Sequence, residues 1–156
     1  GLSVAENYAL TKYRDRDFGR GWRLDAQALR RRAEDAIRDY GVAVPSPDAP
    51  AQNLSGGNIQ KLILARETEG PIVLLVAVHP TYGLDLGAAR FVRRRLWEKR
   101  RDGSAVLLIS EDLDEILELS DRVAVMFEGR FMAVLDNRGL DRRDIMLMMA
   151  GGKPRA

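Results

Sequence analysis

The pattern of apolar residues changes character at Gly70-Pro71, and that change limits what this 156-residue chain can fold into. Before it, apolar residues recur at helical spacing. Asp25 is placed to cap a helix whose Leu29, Ala33, Ala36, Ile37 and Tyr40 share one face, with Arg30-Arg31-Arg32 pointing mostly elsewhere and Gly41 at its end. Ser3 is placed to cap a short first helix running through Leu10. A further helix is predicted over 58–69 from Ile59, Leu62, Ile63 and Arg66. After Gly70-Pro71, residues 72–77 form an unbroken apolar run, as in a strand covered on both faces, and 105–109 form a second buried strand. A third strand is predicted at 123–127 and a fourth at 130–135, joined by a Glu128-Gly129 turn. Helices are predicted at 86–101, with Ala88, Val92 and Leu96 inward, at 112–119, and from the Asp141 cap to Ala150.

The expected architecture is therefore α/β. A helical subdomain at 1–69 precedes a mostly parallel sheet with flanking helices and a C-terminal hairpin at 70–152, with a tail at 153–156. Residues 14–23 read as a loop, and 42–52, with Pro45, Pro47 and Pro50, as an extended connector. The chain opens on Gly1 rather than methionine and is expected to be a piece of something longer.

Composition removes several function classes. The absence of cysteine excludes a disulfide scaffold, a thiolate metal site and cysteine catalysis, and a single histidine excludes a multi-histidine metal site. No apolar run reaches the roughly 20 residues of a membrane span. With 25 Lys+Arg against 23 Asp+Glu, the net charge of +2 does not by itself imply nucleic acid. The arginine-rich stretches at 93–95 and 99–101 are interrupted by Glu98 and followed by Asp102, and we read them as a solvated helix face. Glu111 to Glu115 is an acidic run suited to a helix N-terminus rather than to a cation. Met146, Met148 and Met149 are expected to pack rather than to hold a cofactor.

The sharpest local feature is Leu54-Ser55-Gly56-Gly57-Asn58-Ile59-Gln60-Lys61. A serine and two glycines opening a helix leave backbone N–H groups exposed at the positive end of the helix dipole, where an anion is favoured. Glycine lets a phosphate approach the backbone with no Cβ in the way.

Together with Leu64-Ala65-Arg66-Glu67, this segment resembles the signature helix of ABC-type ATPases. The order of the downstream segments is similar to that family too. Pro80-Thr81-Tyr82-Gly83-Leu84-Asp85 stands after the first strand, Val106 to Ser110 comes next, then Asp114-Glu115 on a helix, and then Ser120 to Met126 before the hairpin. The resemblance spans residues 3–152. It is closest to the second ATPase half of two-half importers for simple sugars or nucleosides, through Ser3 to Asn7, Pro45 to Asp48 and Gly83 to Ala88.

The resemblance implies part of a P-loop NTPase-like fold whose parent uses ATP and Mg. Ser55, Gly56, Gly57 and Asn58 are implied to meet the γ-phosphate of a nucleotide held by the other ATPase half, and Asp85 to lie in the loop that crosses between halves. Further implied partners are transmembrane permease subunits, with no nucleic acid, and the implied location is peripheral, on the cytoplasmic face of the plasma (inner) membrane.

The departures from the family are as informative. The phosphate loop Gly-x-x-x-x-Gly-Lys-Ser/Thr is absent, and Gly152-Lys153-Pro154 does not substitute for it. Val78 and His79 stand where the family has Asp-Glu, and Glu111 where it has a switch histidine. Val78 cannot help hold Mg²⁺. His79 as a general base has neither a phosphate loop nor a metal ligand beside it to bring it a substrate. The chain's own site is thus expected to be degenerate, and the chain alone to bind no nucleotide. The alternatives are a soluble ABC-type ATPase acting on DNA or ribosomes, and a non-catalytic regulatory domain.

Overall fold

The computed structural model describes residues 1–11 and 25–152; the loop expected at 14–23 and the tail at 153–156 lie outside them. The chain divides into two compact units. One holds Gly1–Leu75 and Pro80–Val106, the other Val76–His79 and Leu107–Ala156.

The first unit starts with α1 (Val4–Ala9). The first N–H groups of a helix lack intrahelical acceptors, and here three of them find one. Val4 N–H donates to Ala49 O at 2.9 Å, Ala5 N–H to Pro47 O at 2.9 Å, and Glu6 N–H to Ser3 Oγ at 3.1 Å. The Glu6 carboxylate accepts from Ser3 N–H at 2.7 Å, which closes a capping box. The Ser3 backbone N–H, and then its hydroxyl, holds the Glu6 carboxyl below the usual carboxylate range. The proline-rich connector therefore lies along the start of α1 as a strap, with Ala51 N–H returning to Leu2 O at 3.0 Å. Proline suits such a strap because the carbonyls are used there and no N–H is required of Pro47. The strap ends in a single 3₁₀ turn at Ala51–Asn53.

Helix α2 (Ala26–Asp39) is capped by Asp25, whose Oδ1 accepts from Gln27 N–H and Ala28 N–H at 3.0 and 2.9 Å. Helix α3 (Gly56–Thr68) begins two residues before the predicted start, with Ser55 as its N-cap. Val4, Ala5 and Tyr8 of α1, Ala33 and Ala36 of α2, and Leu62 and Ala65 of α3 make one buried core. Its alanines let the three helices approach closely. Helix α4 (Leu86–Arg101) has its predicted bounds and buries Ala88, Val92 and Leu96.

Strands β1 (Leu74–Val78) and β2 (Ala105–Ile109) begin in the first unit and finish in the second. Ala105 N–H donates to Val73 O and His79 N–H to Ile109 O, at 2.9 and 2.8 Å, so partner numbers rise together along both strands and the pair is parallel. The expected covering is corrected here. Leu74, Val76 and Val78 on β1 and Leu107 and Ile109 on β2 are exposed, while the alternate residues are half-buried. An unbroken apolar run reports the chemistry of both faces of a strand; in this chain only one face is covered.

In the second unit, α5 (Leu113–Leu119) is capped by Asp112. Strands β3 (Arg122–Phe127) and β4 (Arg130–Asp136) form an antiparallel hairpin. Both turn residues, Glu128 and Gly129, are left-handed, at φ 47° and 75°, as a two-residue turn of this type requires. Helix α6 (Arg142–Met149) is capped by Asp141 and buries Ile145 and Met148 against Val123 and Val125. Met146 and Met149, in contrast, are exposed. Asn137 donates from Nδ2 to Leu117 O and Ser120 O, both at 2.7 Å, and so closes the C-terminal end of α5. The strands thus make two ladders, one parallel and one antiparallel. No helix among the described residues is long and apolar enough to cross a membrane.

Replacing Ser3 by alanine should lower the unfolding free energy of this chain by about 1 kcal/mol in urea titration, the usual cost of a lost N-cap. Because the folded Glu6 value is depressed, its share of the box is fully present above the ordinary carboxylate range and is lost as pH falls through the lowered value. The gap between the parent chain and Ser3→Ala should therefore narrow in acid.

Candidate functional site

The first turn of α3 is the centre of the candidate site. Ser55 has extended backbone (φ −65°, ψ 158°) and no side chain caps the turn it opens. Its hydroxyl is not idle. Asn58 Nδ2 donates to Ser55 Oγ at 3.0 Å, while Asn58 Oδ1 accepts from Ala43 N–H at 2.8 Å. Asn58 is thereby fixed at both ends. Ser55 Oγ acts as an acceptor toward it, so the hydroxyl proton is not used in this bond. Ser55 and Gly56 are exposed, and a Cβ built on Gly56 would meet nothing within 4 Å. The backbone amides of this turn can therefore be approached from outside.

Gly57 serves a different need. A Cβ there would stand 3.0 Å from Ala88 Cβ and 3.7 Å from Asp85 Oδ2. The start of α3 thus packs against the start of α4, and glycine is what allows it. Asp85 is the N-cap of α4, with Oδ1 accepting from Ala88 N–H at 2.9 Å. Its carboxylate is used on the helix it starts, and its second oxygen turns toward Gly57. The structure thus brings Ser55, Gly56, Gly57, Asn58 and Asp85 together at two adjacent helix starts within the first unit. The motif alone does not reveal that α3 lies against α4. The paired small residues Gly57 and Ala88 are the signal that could have suggested it.

Val78, His79 and Glu111 are placed at one end of the β1/β2 ladder, in the second unit. Val78 and Glu111 are exposed. His79 is also exposed, with left-handed backbone at φ 46°. Ser110 Oγ accepts from Asp112 N–H at 3.0 Å and so belongs to the start of α5. A valine supplies no metal ligand, and among the described residues no three His, Cys, Asp or Glu side chains gather for a metal ion. The open α3 turn, by its backbone amides and helix dipole, is suited to an anion. Glu115, expected only as part of an acidic helix N-terminus, is fully buried on α5.

Two solved structures share this fold. One is the dimeric post-hydrolysis state of the ATP-binding cassette MJ0796 bound to ADP and Pi. It matches at a TM-score of 0.70 with 21% identity, over 89% of this chain and 58% of that one. The other, MJ1267, is an ATP-binding cassette of an ABC transporter and matches at 0.68 with 20% identity, over 96% and 59%. The chain therefore has the α/β fold of an ABC-type ATPase, with its helical subdomain and a sheet of mixed sense.

Curated relatives narrow the class. The glucose import ATP-binding protein TsgD13 of Haloferax volcanii is 44% identical over 97% of this chain. The guanosine import ATP-binding protein NupO of Bacillus subtilis is 40% identical over 95%, and the nucleoside import ATP-binding protein NupA of Lactococcus lactis 36% over 97%. This chain is an ABC transporter ATP-binding-like protein related to the sugar and nucleoside import ATPases. It spans 28%, 29% and 30% of those three relatives' lengths. No family model matches.

The two glycines should respond oppositely to substitution. Gly56→Ala should leave stability unchanged or raise it by up to about 1 kcal/mol, since alanine is the better helix former and has room. Gly57→Val should lower it by about 1–3 kcal/mol through overpacking against Ala88. Urea midpoints of the two variants measure this, and equal effects would count against the packing role of Gly57.

Proposed function

We propose that this chain is the C-terminal part of an ATP-binding half of an importer for simple sugars or nucleosides, and that it completes a nucleotide site in the partner half. Ser55, Gly56 and Gly57 meet the terminal phosphate of the ATP that the partner holds. The Ser55 hydroxyl donates to it, the amides of the first turn of α3 add further donors, and the helix dipole favours its charge. Asp85 keeps the neighbouring loop in place by capping α4. The observation that carries this reading is the exposed first turn of α3, which no side chain caps and in which Ser55 Oγ accepts from Asn58 and so keeps its own proton for another acceptor.

The chain's own catalytic positions are read as retired. Val78 offers no ligand, His79 has no described acid or metal site to work with, and Glu111 is not an imidazole. ATP and Mg are bound by the assembled parent, with the metal held outside this chain's residues. Permease subunits are the partners that turn closure of the two halves into movement of solute, and the site of action is the cytoplasmic face of the membrane. The relatives' printed import functions, for glucose, guanosine and nucleosides, support the solute class.

Ser55→Arg in the full ATP-binding subunit should cut hydrolysis at the partner site by about a hundredfold or more, because the long side chain fills the space in front of the turn and keeps its amides from the phosphate. Steady-state turnover with ATP measures it, and unchanged turnover would sink the reading. Separately, calorimetric titration of this chain alone with Mg-ATP should give no heat of binding. A stoichiometric isotherm would mean that the chain holds a nucleotide site of its own.

A further inference from the structure

Arg95 departs from the solvated face expected of the 93–95 run. Arg94 is mostly exposed, but Arg95 is turned inward, with only 29% of its side chain accessible. Its guanidinium carbon lies 4.4 Å from the ring centroid of Tyr40 and 5.3 Å from that of Phe91. The two rings meet edge to face with centroids 6.2 Å apart. Nη2 donates to Asp39 O at 2.6 Å, and Nη1 to Glu98 Oε2 at 3.0 Å. A second cation reaches the same place from α3: Lys61 Nζ stands 5.3 Å from the Phe91 centroid and donates to Gly41 O at 3.0 Å. The Thr68 hydroxyl donates to Leu64 O at 2.6 Å, so the Tyr40 hydroxyl is the donor in their 2.8 Å bond.

These contacts have one physical logic. The last carbonyls of a helix are unpaired and carry the negative end of its dipole. At the end of α2 a cation from α4 supplies the donor missing at Asp39 O, and a second, from α3, reaches the carbonyl of Gly41 just beyond the helix; both also lie near an aromatic ring. The spacing then links this cluster to the candidate site. On α3, Gly57, Lys61 and Thr68 fall at i, i+4 and i+11, along one face. On α4, Ala88, Phe91 and Arg95 fall at i, i+3 and i+7, along the face that meets it. The Gly57–Ala88 contact and the Arg95 cluster are two fixings of the same helix pair, one at its N-terminal end and one further along.

We propose that Arg95 is a positioning residue for the nucleotide-facing turn of α3. It ties the end of α2 to α4, and with Lys61 it sets the angle at which Ser55, Gly56 and Gly57 are presented. This rests on the reading of that turn as the phosphate contact.

The test compares Arg95→Gln with Ser3→Ala, which weakens the same unit at a different place. Glutamine keeps a planar donor but loses the charge and the fork that spans ring and carbonyl. In this chain, hydrogen exchange at the Ile59 and Gln60 amides should become about tenfold faster in Arg95→Gln, with the β3 and β4 amides unchanged. Ser3→Ala should show no such selective change in α3. If both variants speed α3 exchange equally, or neither does, the proposal is overturned. Should Arg95→Gln fail to fold, Phe91→Leu removes the ring beneath the guanidinium and must give the same selective change. In the full subunit, kcat should fall about tenfold with KM for ATP unchanged, since the partner holds the nucleotide. Unchanged kcat beside a Ser55→Arg variant that has lost turnover would overturn the positioning role. If Ser55→Arg itself keeps its turnover, the phosphate reading fails instead, and exchange alone then decides whether Arg95 holds the turn.

Discussion

The close approach of α3 to α4 at Gly57 and Ala88 is the constraint on which the first unit depends. A Cβ on Gly57 would be only 3.0 Å from that of Ala88, so the helices are nearer than most side chains permit. Two helix starts, one opened by Ser55 and one capped by Asp85, are thereby placed side by side. The orientation of the Ser55 turn is then a property of packed helices rather than of a loop. Packed interiors transmit small displacements because they lack slack, which is why a contact two turns along α4 can matter to the turn itself. The strap over α1 adds a second restraint. It joins the carbonyls of Pro47 and Ala49 to α1 while Ala43 N–H holds Asn58, so one connector touches both the start of α1 and the start of α3.

Much of this is legible from local chemistry. Caps are decided by residues two or three positions apart, and Ser3, Asp25 and Asp141 cap the helices that their positions predict, while Asp112, expected inside its helix, stands just before it as the cap. The bounds of α4 follow from the Asp85 cap and from Asp102-Gly103 at its end. The Glu128-Gly129 turn is legible for the same reason, since both of its residues must be left-handed. The sheet faces are not. The runs at 72–77 and 105–109 are apolar on both sides, but burial depends on what else the chain brings to each face, and no pattern within a strand encodes that. Arg95 is illegible for a related reason. Its partners Tyr40, Asp39 and Phe91 come from two helices, and a run of arginines looks like a solvated face until the second helix is in place.

The candidate site divides in the same way. Ser-Gly-Gly at a helix start is readable as an anion-suited turn because the argument needs only the backbone and the dipole. The use of the two glycines is not, since only the packed structure separates open Gly56 from constrained Gly57. Asn58 belongs to the motif by sequence, and the fold gives it a physical part. It bridges the connector and the serine, and its bond to Ser55 leaves the serine proton unused.

His79 shows that backbone and side chain at one position can answer to different demands. It is a non-glycine residue at φ 46°, a conformation that costs about 1–2 kcal/mol for an ordinary residue. It also precedes Pro80, which disfavours helical conformations at the residue before it. That cost is not repaid by any described acid–base or metal constellation around the imidazole. What opposes it is structural. His79 N–H completes the parallel ladder by donating to Ile109 O at 2.8 Å, and Pro80 is buried immediately after. The left-handed step thus turns the chain from the end of β1 into the segment that leads to Asp85 and α4. A strained backbone is usually a pointer to chemistry. Here the geometry is explained by the route the chain must take.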